Sequence, residues 1–292
     1  MSKKLAIFGC AGQLGVELTR VFSERGYLVS GFSRGDVDIT DQASVEQTLS
    51  ALDPALVINA AAYNQVDLAE KEPVAAYQSN ALAVRNMAIV CRQIDAFFVH
   101  FSTDYVFDGT AGRPYAEVDQ THPLGAYAVS KLAGELYAQA YIDAPLVIRT
   151  SGVFGPGGLR TARGNFVELM LRLANSGQPI RVVEDHVASP TYSPALAEVT
   201  AQLVERDLRG VFHAGGGTAI SWFDYAKLIF DAAGVKPELR PTDAREYRTA
   251  ARRPKFSALS NRKMEASGVE PMPALADAVG SYMKARRAYL TA

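Results

Sequence analysis

A glycine-rich turn, Gly9-Cys10-Ala11-Gly12-Gln13-Leu14-Gly15, constrains this chain more than any other feature. It follows the apolar run Leu5-Ala6-Ile7-Phe8 and opens a stretch from Gly15 to Arg25 in which Leu18, Val21 and Phe22 share one helical face. Glycines at this spacing between a strand and a helix answer a steric demand. Backbone N–H groups must approach a pyrophosphate at the positive end of a helix, and a Cβ in the turn would obstruct that approach. Glycine-rich turns also occur without a ligand. This one closes the first strand of a βαβ unit, which is the context that gives the motif its meaning as a dinucleotide site. Cys10 reads as a small side chain filling a crowded turn.

The first half of the chain keeps that rhythm. Short apolar runs at Tyr27–Phe32, Leu56–Asn59, Phe97–Phe101 and Leu146–Arg149 read as strands. Helical patterns at Ala43–Leu52 (capped by Thr40-Asp41), Ala75–Ile94 and Tyr127–Tyr141 lie between them. Strands that are apolar throughout, alternating with helices, predict an α/β fold with a doubly wound parallel sheet of the Rossmann type. After Arg149 the rhythm loosens through Gly152, Gly155, Pro156, Gly157 and Gly158. Helices are expected at Phe166–Ala174, Pro190–Val204, Ser221–Ala233 and Ala274–Tyr289, and strands at Ile180–Val183 and Val211–His213. The expected division is a dinucleotide-binding domain over 1–150, rejoined by about 180–217, and a smaller substrate-binding lobe from 151–179 and 218–292. With 292 residues the chain is long enough for this, burying roughly 75% of its unfolded surface without staples.

Thirty Lys and Arg against 31 Asp and Glu leave a net charge of −1, which argues against nucleic acid as a partner. No apolar stretch is long enough for a membrane span, and no signal peptide is apparent. Two cysteines and four histidines provide neither a disulfide framework nor a zinc motif, so no metal is expected and the cytoplasm is the expected compartment.

At the end of the second strand an acidic residue usually grips a ribose 2′-hydroxyl. Here Ser33-Arg34 stand there, a hydroxyl and a planar fork of donors suited to a 2′-phosphate. This points to NADPH, with NADH as the second choice. On the alternative reading Arg34 is a solvated surface residue and Asp36 or Asp38 holds the ribose; Asp38-Ile39 otherwise bracket the adenine. Further along, Tyr127 and Lys131 lie four apart on one helix face. A free phenol ionises near pH 10, about three units too high for a base at neutral pH, and a neighbouring ammonium favours its phenolate. The preceding strand ends Ser102-Thr103-Asp104, which brings hydroxyls to the carboxyl edge where ligands bind in such sheets.

Together these motifs resemble the extended short-chain dehydrogenase/reductases, and within them the dTDP-4-dehydrorhamnose reductase branch. The resemblance covers nearly the whole chain. It rests on the glycine turn with Gln13-Leu14-Gly15, Asn59-Ala60-Ala61-Ala62-Tyr63, Val66-Asp67 with Ala69-Glu70, and Ser102-Thr103-Asp104-Tyr105-Val106-Phe107-Asp108-Gly109. Pro123-Leu124, Tyr127 with Lys131-Leu132, Gly134-Glu135, Asn165-Phe166, Ser189-Pro190-Thr191 and Ser221-Trp222 extend it. The resemblance implies hydride transfer from NADPH to the keto carbon of a nucleotide-linked 4-keto-6-deoxyhexose. Tyr127 would protonate the developing alkoxide, Thr103 would hydrogen-bond the same oxygen, and Lys131 would position the ribose and tune Tyr127. Gly9, Gly12, Gln13, Leu14, Gly15 and Ala60 to Tyr63 (Ala60, Ala61, Ala62, Tyr63) would line the cofactor, and Asp104 and Tyr105 would hold sugar hydroxyls. Arg252-Arg253, in a loop of the second lobe, offers guanidiniums for the substrate pyrophosphate or else a solvated surface.

The branch commonly carries a tryptophan over the substrate where this chain has Gly152, which opens the pocket and leaves the sugar undefined. Some members bind magnesium at a dimer contact; Glu17 matches one ligand position but Pro194 falls near another, so no metal site is expected, and a homodimer is left open. A dehydratase would carry Glu where Tyr105 follows Thr103-Asp104, and an epimerase retains NAD and needs no external reductant. A non-catalytic NADP-binding regulatory subunit would usually have lost part of the Tyr127, Lys131, Thr103 set. If Arg34 reads a 2′-phosphate, Arg34→Ala should lower kcat/KM with NADPH by roughly tenfold or more and leave NADH unaffected. Equal use of both cofactors by both proteins would remove Arg34 from the site.

Overall fold

The computed structural model describes residues 3–161 and 164–291. Five strands of the first half, β1 (Lys4–Phe8), β2 (Leu28–Phe32), β3 (Leu56–Asn59), β4 (Phe97–Thr103) and β5 (Leu146–Thr150), are joined by β8 (Gly210–His213). They form one parallel sheet in the order β2-β1-β3-β4-β5-β8. The order reverses between β1 and its neighbours β2 and β3, which places a crevice at their carboxyl ends.

The inner strands β1, β3, β4 and β5 are largely buried because both faces are covered, whereas the edge strand β2 is exposed at Leu28 and Gly31. Leu5 and Ile7 point into a core shared with α1 (Gln13–Glu24) and α8 (Ser193–Glu205). Ala6 and Phe8 point into a second core under α2 (Gln42–Leu52) and α5 (Ala83–Gln93). The helix α6 (Ala126–Tyr141) packs beside α5 and crosses β4. Asp41 caps α2, its carboxylate accepting from the N–H groups of Ala43 and Ser44 at 3.0 and 3.4 Å.

The long helix expected over 75–94 is divided. After α3 (Val66–Ala69), α4 (Pro73–Tyr77) runs into a π-helical turn at Gln78–Leu82 before α5 begins. The cause is Asn80, buried at this turn. Its side chain accepts from the Tyr63 N–H at 2.8 Å and donates to the Tyr63 carbonyl at 2.9 Å. A π-turn of this kind commonly marks a functional site.

Away from the main sheet, α7 (Phe166–Ala174), α9 (Trp222–Ala233) and α11 (Leu275–Thr291) enclose a third core of Phe154, Tyr225, Ile229, Val279 and Tyr282. The strand β6 (Ile180–Val183) does not enter the main sheet. It pairs in parallel with β10 (Leu239–Thr242), whose Arg and Pro hide its strand character in the sequence. Two short strands, β7 (Val187–Ala188) and β9 (Ile220–Ser221), pair antiparallel, and a one-turn helix α10 (Arg262–Ala266) follows a loop that returns to the sheet.

Within the third core the Tyr225 hydroxyl is buried and has no hydrogen-bond partner among the described residues. An unsatisfied buried hydroxyl costs about 1–3 kcal/mol, so Tyr225→Phe should match or exceed the wild type in thermal and urea stability. Tyr225→Ala should lose about 3–5 kcal/mol by emptying the core. Loss on the Phe substitution would mean that the hydroxyl has a partner.

Candidate active site

The glycine turn lies at the crevice. Gly9 has φ +80°, and a Cβ on it would lie 2.6 Å from the Ala61 nitrogen. A Cβ on Gly15 would lie 2.1 Å from the Gly9 carbonyl oxygen, so α1 starts in direct contact with the turn. Gly12, at the N-cap, offers no side chain to the first N–H groups of α1, which remain directed into the crevice. The side chains of Gln13 and Leu14 face elsewhere: Gln13 Nε2 donates to the Val153 carbonyl at 2.8 Å, and Leu14 packs on the core. A turn with no room for a Cβ at Gly9 or Gly15, at a helix N-terminus, fits a dinucleotide pyrophosphate.

Ser33 and Arg34 follow β2 at the same edge. Ser33 donates its hydroxyl to Asp36 at 2.6 Å, which holds that carboxyl below its usual range, and Arg34 is exposed. Asp38 accepts from the N–H and hydroxyl of Thr40 at 2.9 and 2.7 Å, while Ile39 packs on the core under α2. Across the turn, Ala60, Ala61, Ala62 and Tyr63 continue from β3. Asn59 shapes this segment by accepting from the Ala61 N–H at 3.1 Å and donating to His100 Nδ1 at 3.3 Å. His100 Nε2 therefore carries the ring proton, and it has no partner among the described residues although the residue is buried.

The Tyr–Lys helix meets the end of β4. Lys131 is buried and donates to the Phe101 carbonyl at 2.6 Å, two residues before Thr103. Burial lowers its pKa to about 8, partly opposed by Glu135 one turn further on. The Tyr127 ring meets the Tyr105 ring edge-on with centroids 6.2 Å apart, two residues after Thr103. Thr103 thus lies midway in sequence between Phe101, which Lys131 bonds, and Tyr105, which the Tyr127 ring meets. Ser130, between them in sequence, donates to the Tyr127 carbonyl at 2.7 Å and accepts from Asn80 at 3.0 Å.

Other residues hold these in place, and sequence reasoning assigned them no role. The helix α3 is a bracket. Glu70, just beyond it, accepts from the Ala126 N–H at 2.8 Å and so caps α6 immediately before Tyr127. Asp67 binds Arg253 through both oxygens at 3.0 and 2.7 Å and accepts from the Ala251 N–H at 3.0 Å. Arg253, offered by the sequence as a pyrophosphate ligand, is thus already oriented by Asp67, and its charge lies near Tyr105. Their signal was the pair of carboxylates three apart in a segment too short for an amphipathic face. Behind α6, the buried Glu135 takes Arg149 through both oxygens and accepts from Ser102. Arg149 in turn reaches His213 at 3.4 Å, and burial with this cation pushes the His213 pKa down to about 3.

Gly152 has φ +48°, and a Cβ there would come within 3.2 Å of the Trp222 indole and 3.4 Å of Pro190. The indole from α9 therefore occupies the space beside Gly152. Glu17 is buried on α1 and bonds Arg20 at 3.2 Å. A cavity of ≈ 640 Å³ at the opposite edge of the sheet, around Lys3, Arg92 and Arg209, is lined by none of the motif residues. Among the described residues no helix is long and apolar enough to cross a membrane.

The parallel sheet with its glycine turn at the switch point defines a Rossmann-type α/β protein. The chain belongs to the RmlD substrate binding domain family, which matches residues 3–288. It is 38% identical over 277 residues to dTDP-4-dehydrorhamnose reductase of Mycobacterium tuberculosis, covering 93% of this chain and 89% of that one. It is 37% identical over 268 residues to the spore coat polysaccharide biosynthesis protein SpsK of Bacillus subtilis, covering 92% and 93%. The crystal structure of dTDP-4-dehydrorhamnose reductase from Bacillus anthracis in complex with NADP superposes with a TM-score of 0.92 at 33% identity, over 97% of this chain and 99% of that one.

The depressed Lys131 pKa carries a stability cost. At pH 7 the ammonium is charged and buried. Between about pH 8 and the ordinary lysine value the folded state binds fewer protons than the unfolded one, so stability rises with pH across that window. Lys131→Met should raise stability at pH 7 by on the order of 3 kcal/mol, with the gain vanishing above about pH 10.5. A pH-independent difference between the two proteins would count against a desolvated charge.

Proposed function

We propose that the protein reduces a nucleotide-linked 4-keto-6-deoxy sugar with NADPH, converting dTDP-4-dehydrorhamnose to dTDP-rhamnose. The observation that supports the reading is that Lys131 and Tyr127 contact Phe101 and Tyr105, on either side of Thr103 in sequence, at the carboxyl edge that also carries the glycine turn. The relatives named dTDP-4-dehydrorhamnose reductase, and the neighbour solved with NADP, support the substrate and cofactor classes. When bound, the reduced nicotinamide supplies a hydride to the keto carbon. The sugar C=O then becomes an alkoxide that needs one proton.

Tyr127 holds that proton on its phenol oxygen and transfers it to the alkoxide. Lys131, a buried cation four residues along the same face, stabilises the phenolate left behind. Thr103 donates a hydrogen bond to the same sugar oxygen, adding charge stabilisation in a water-poor site. Lys131 also meets the nicotinamide ribose, and Gly9, Gly12 and Gly15 with the first N–H groups of α1 take the pyrophosphate. Tyr105 holds sugar hydroxyls, whereas Asp104, expected from the sequence to do the same, is buried with its oxygens taken by Ser151, Ser257 and Thr103. Arg253, aimed by Asp67, faces the diphosphate of the sugar nucleotide, and Trp222 rather than a side chain at 152 forms the apolar wall. In this reading residues 151–179 and 218–292 are the lobe that covers the sugar.

Tyr127→Phe removes one oxygen and should abolish NADPH oxidation with the keto-sugar nucleotide while NADPH still binds, read by its fluorescence. Retained turnover would overturn the assignment of the proton donor.

A further inference from the structure

Asp104 is buried at the end of β4, and hydroxyls from three stretches of chain are aimed at it. Ser151, directly after β5, donates to Oδ2 at 2.8 Å, and Ser257 donates to the same oxygen at 2.5 Å. Thr103 donates to Oδ1 at 3.1 Å. The direction of these bonds follows from what else the hydroxyls do. The Ser151 oxygen accepts from the Ser189 N–H at 3.3 Å, and the Thr103 oxygen accepts from the Tyr105 N–H at 3.2 Å, so their protons are left for the carboxylate. Ser257 comes from the second lobe. Its segment is laid along β7 by the Val187 N–H bonding the Lys255 carbonyl at 2.7 Å and the Ser257 N–H bonding the Val187 carbonyl at 2.8 Å.

This arrangement conflicts with the role given to Thr103 unless Asp104 is otherwise satisfied. To bond the sugar oxygen, Thr103 must turn its proton away from Oδ1. A buried carboxylate stripped of its donors takes up a proton instead of remaining charged. We propose that Ser151 and Ser257 are positioning residues which, by filling Oδ2, keep Asp104 ionised while Thr103 redirects its hydroxyl to the substrate. This proposal rests on the reductase reading above. It makes the substrate lobe part of the reaction centre, because Ser257 arrives only with that lobe.

The surroundings leave the hydroxyls in control. Tyr105, on Asp104's own segment, turns to Arg253; that arginine's carboxylate partner is Asp67. From α6, Tyr127 faces Tyr105 and Lys131 bonds the Phe101 carbonyl. Among the described residues the groups acting on Asp104 are the three hydroxyls and its own backbone N–H. Burial raises its pKa to about 6 against their effect, so its titration falls within a measurable range.

The test pairs two readouts on the full chain: the 13C titration of the Asp104 carboxyl, assigned with Asp104→Asn, and kcat for NADPH oxidation against pH. In Ser257→Ala both should move up by about one pH unit, since a donor to the charged form is lost. Activity would then fall roughly fivefold at pH 6 and hardly at all at pH 8. Ser151→Ala should shift both in the same direction, and Ser257→Thr, which keeps the hydroxyl, should return them towards the wild type. A carboxyl titration that stays at the wild-type pH in both alanine variants, or activity lowered by one factor at all pH values, would overturn the proposal. Failure of the reductase reading would appear separately, as no NADPH oxidation by the wild type while the carboxyl still titrates.

Discussion

The backbone of β1's turn and that of the segment after β3 approach so closely that no side chain fits between them. Gly9 lies against Ala60 and Ala61, and Gly15 lies against the Gly9 carbonyl. That contact starts α1 at the very end of β1 and brings the ends of β2 and β3 to either side of it. The chain reverses direction across the sheet at this place, so the crevice and the positive end of α1 coincide. Each proposed cofactor contact, from Ser33 to Tyr63, depends on this one steric fact. A methyl group at Gly15 would push the helix off the strand and remove the cradle.

Beyond the turn the carboxyl edge gathers charges that a stability-driven design would avoid. Lys131, Glu135, Arg149 and Asp104 are all buried. The Glu135–Arg149 pair, with both side chains almost fully enclosed, gains little over apolar packing of the same shape. Its effect is positional: Glu135 bonds Ser102 of β4 and Arg149 of β5 from α6, so three elements carrying proposed site residues share one network. His213 and His100 are held neutral beside it by burial. Lys131 is charged at neutral pH in spite of its burial, a cost to folding that the proposed catalytic role accounts for.

The chain after β5 is tied to the first half by polar bonds near the carboxyl edge of the sheet. Gln13 of α1 reaches Val153, Asp67 takes Arg253, and Asp104 takes Ser257. Each joins a residue of the first half to one well over a hundred positions away or at the start of the second lobe. Such ties are short and directional, and they could be exchanged for bonds to the proposed sugar nucleotide. The aromatic core of Phe154, Phe166, Trp222 and Tyr225 gives that lobe its own rigidity and presents the indole beside Gly152.

Much of the fold was legible because it depends on local pattern. Apolar runs, helical spacing and a glycine triplet are statements about neighbours in sequence, and they lead to a doubly wound sheet with Tyr127 and Lys131 on one helix face. Arg and Pro masked β10, which forms a strand only because β6 offers it a partner. The π-turn at Asn80 was illegible because its cause, the Tyr63 backbone, lies seventeen residues away. Asp67, Glu70, Ser151 and Ser257 carry no local mark of their partners: a carboxylate or hydroxyl declares its chemistry but not what stands within 3 Å of it. By itself the sequence determined which backbone could approach a phosphate and which side chains shared a helix face, since both follow from covalent geometry. Only the tertiary structure decided which carboxylates became caps, clamps or buried ions, because burial and hydrogen-bond partners are set by distant chain meeting at one edge.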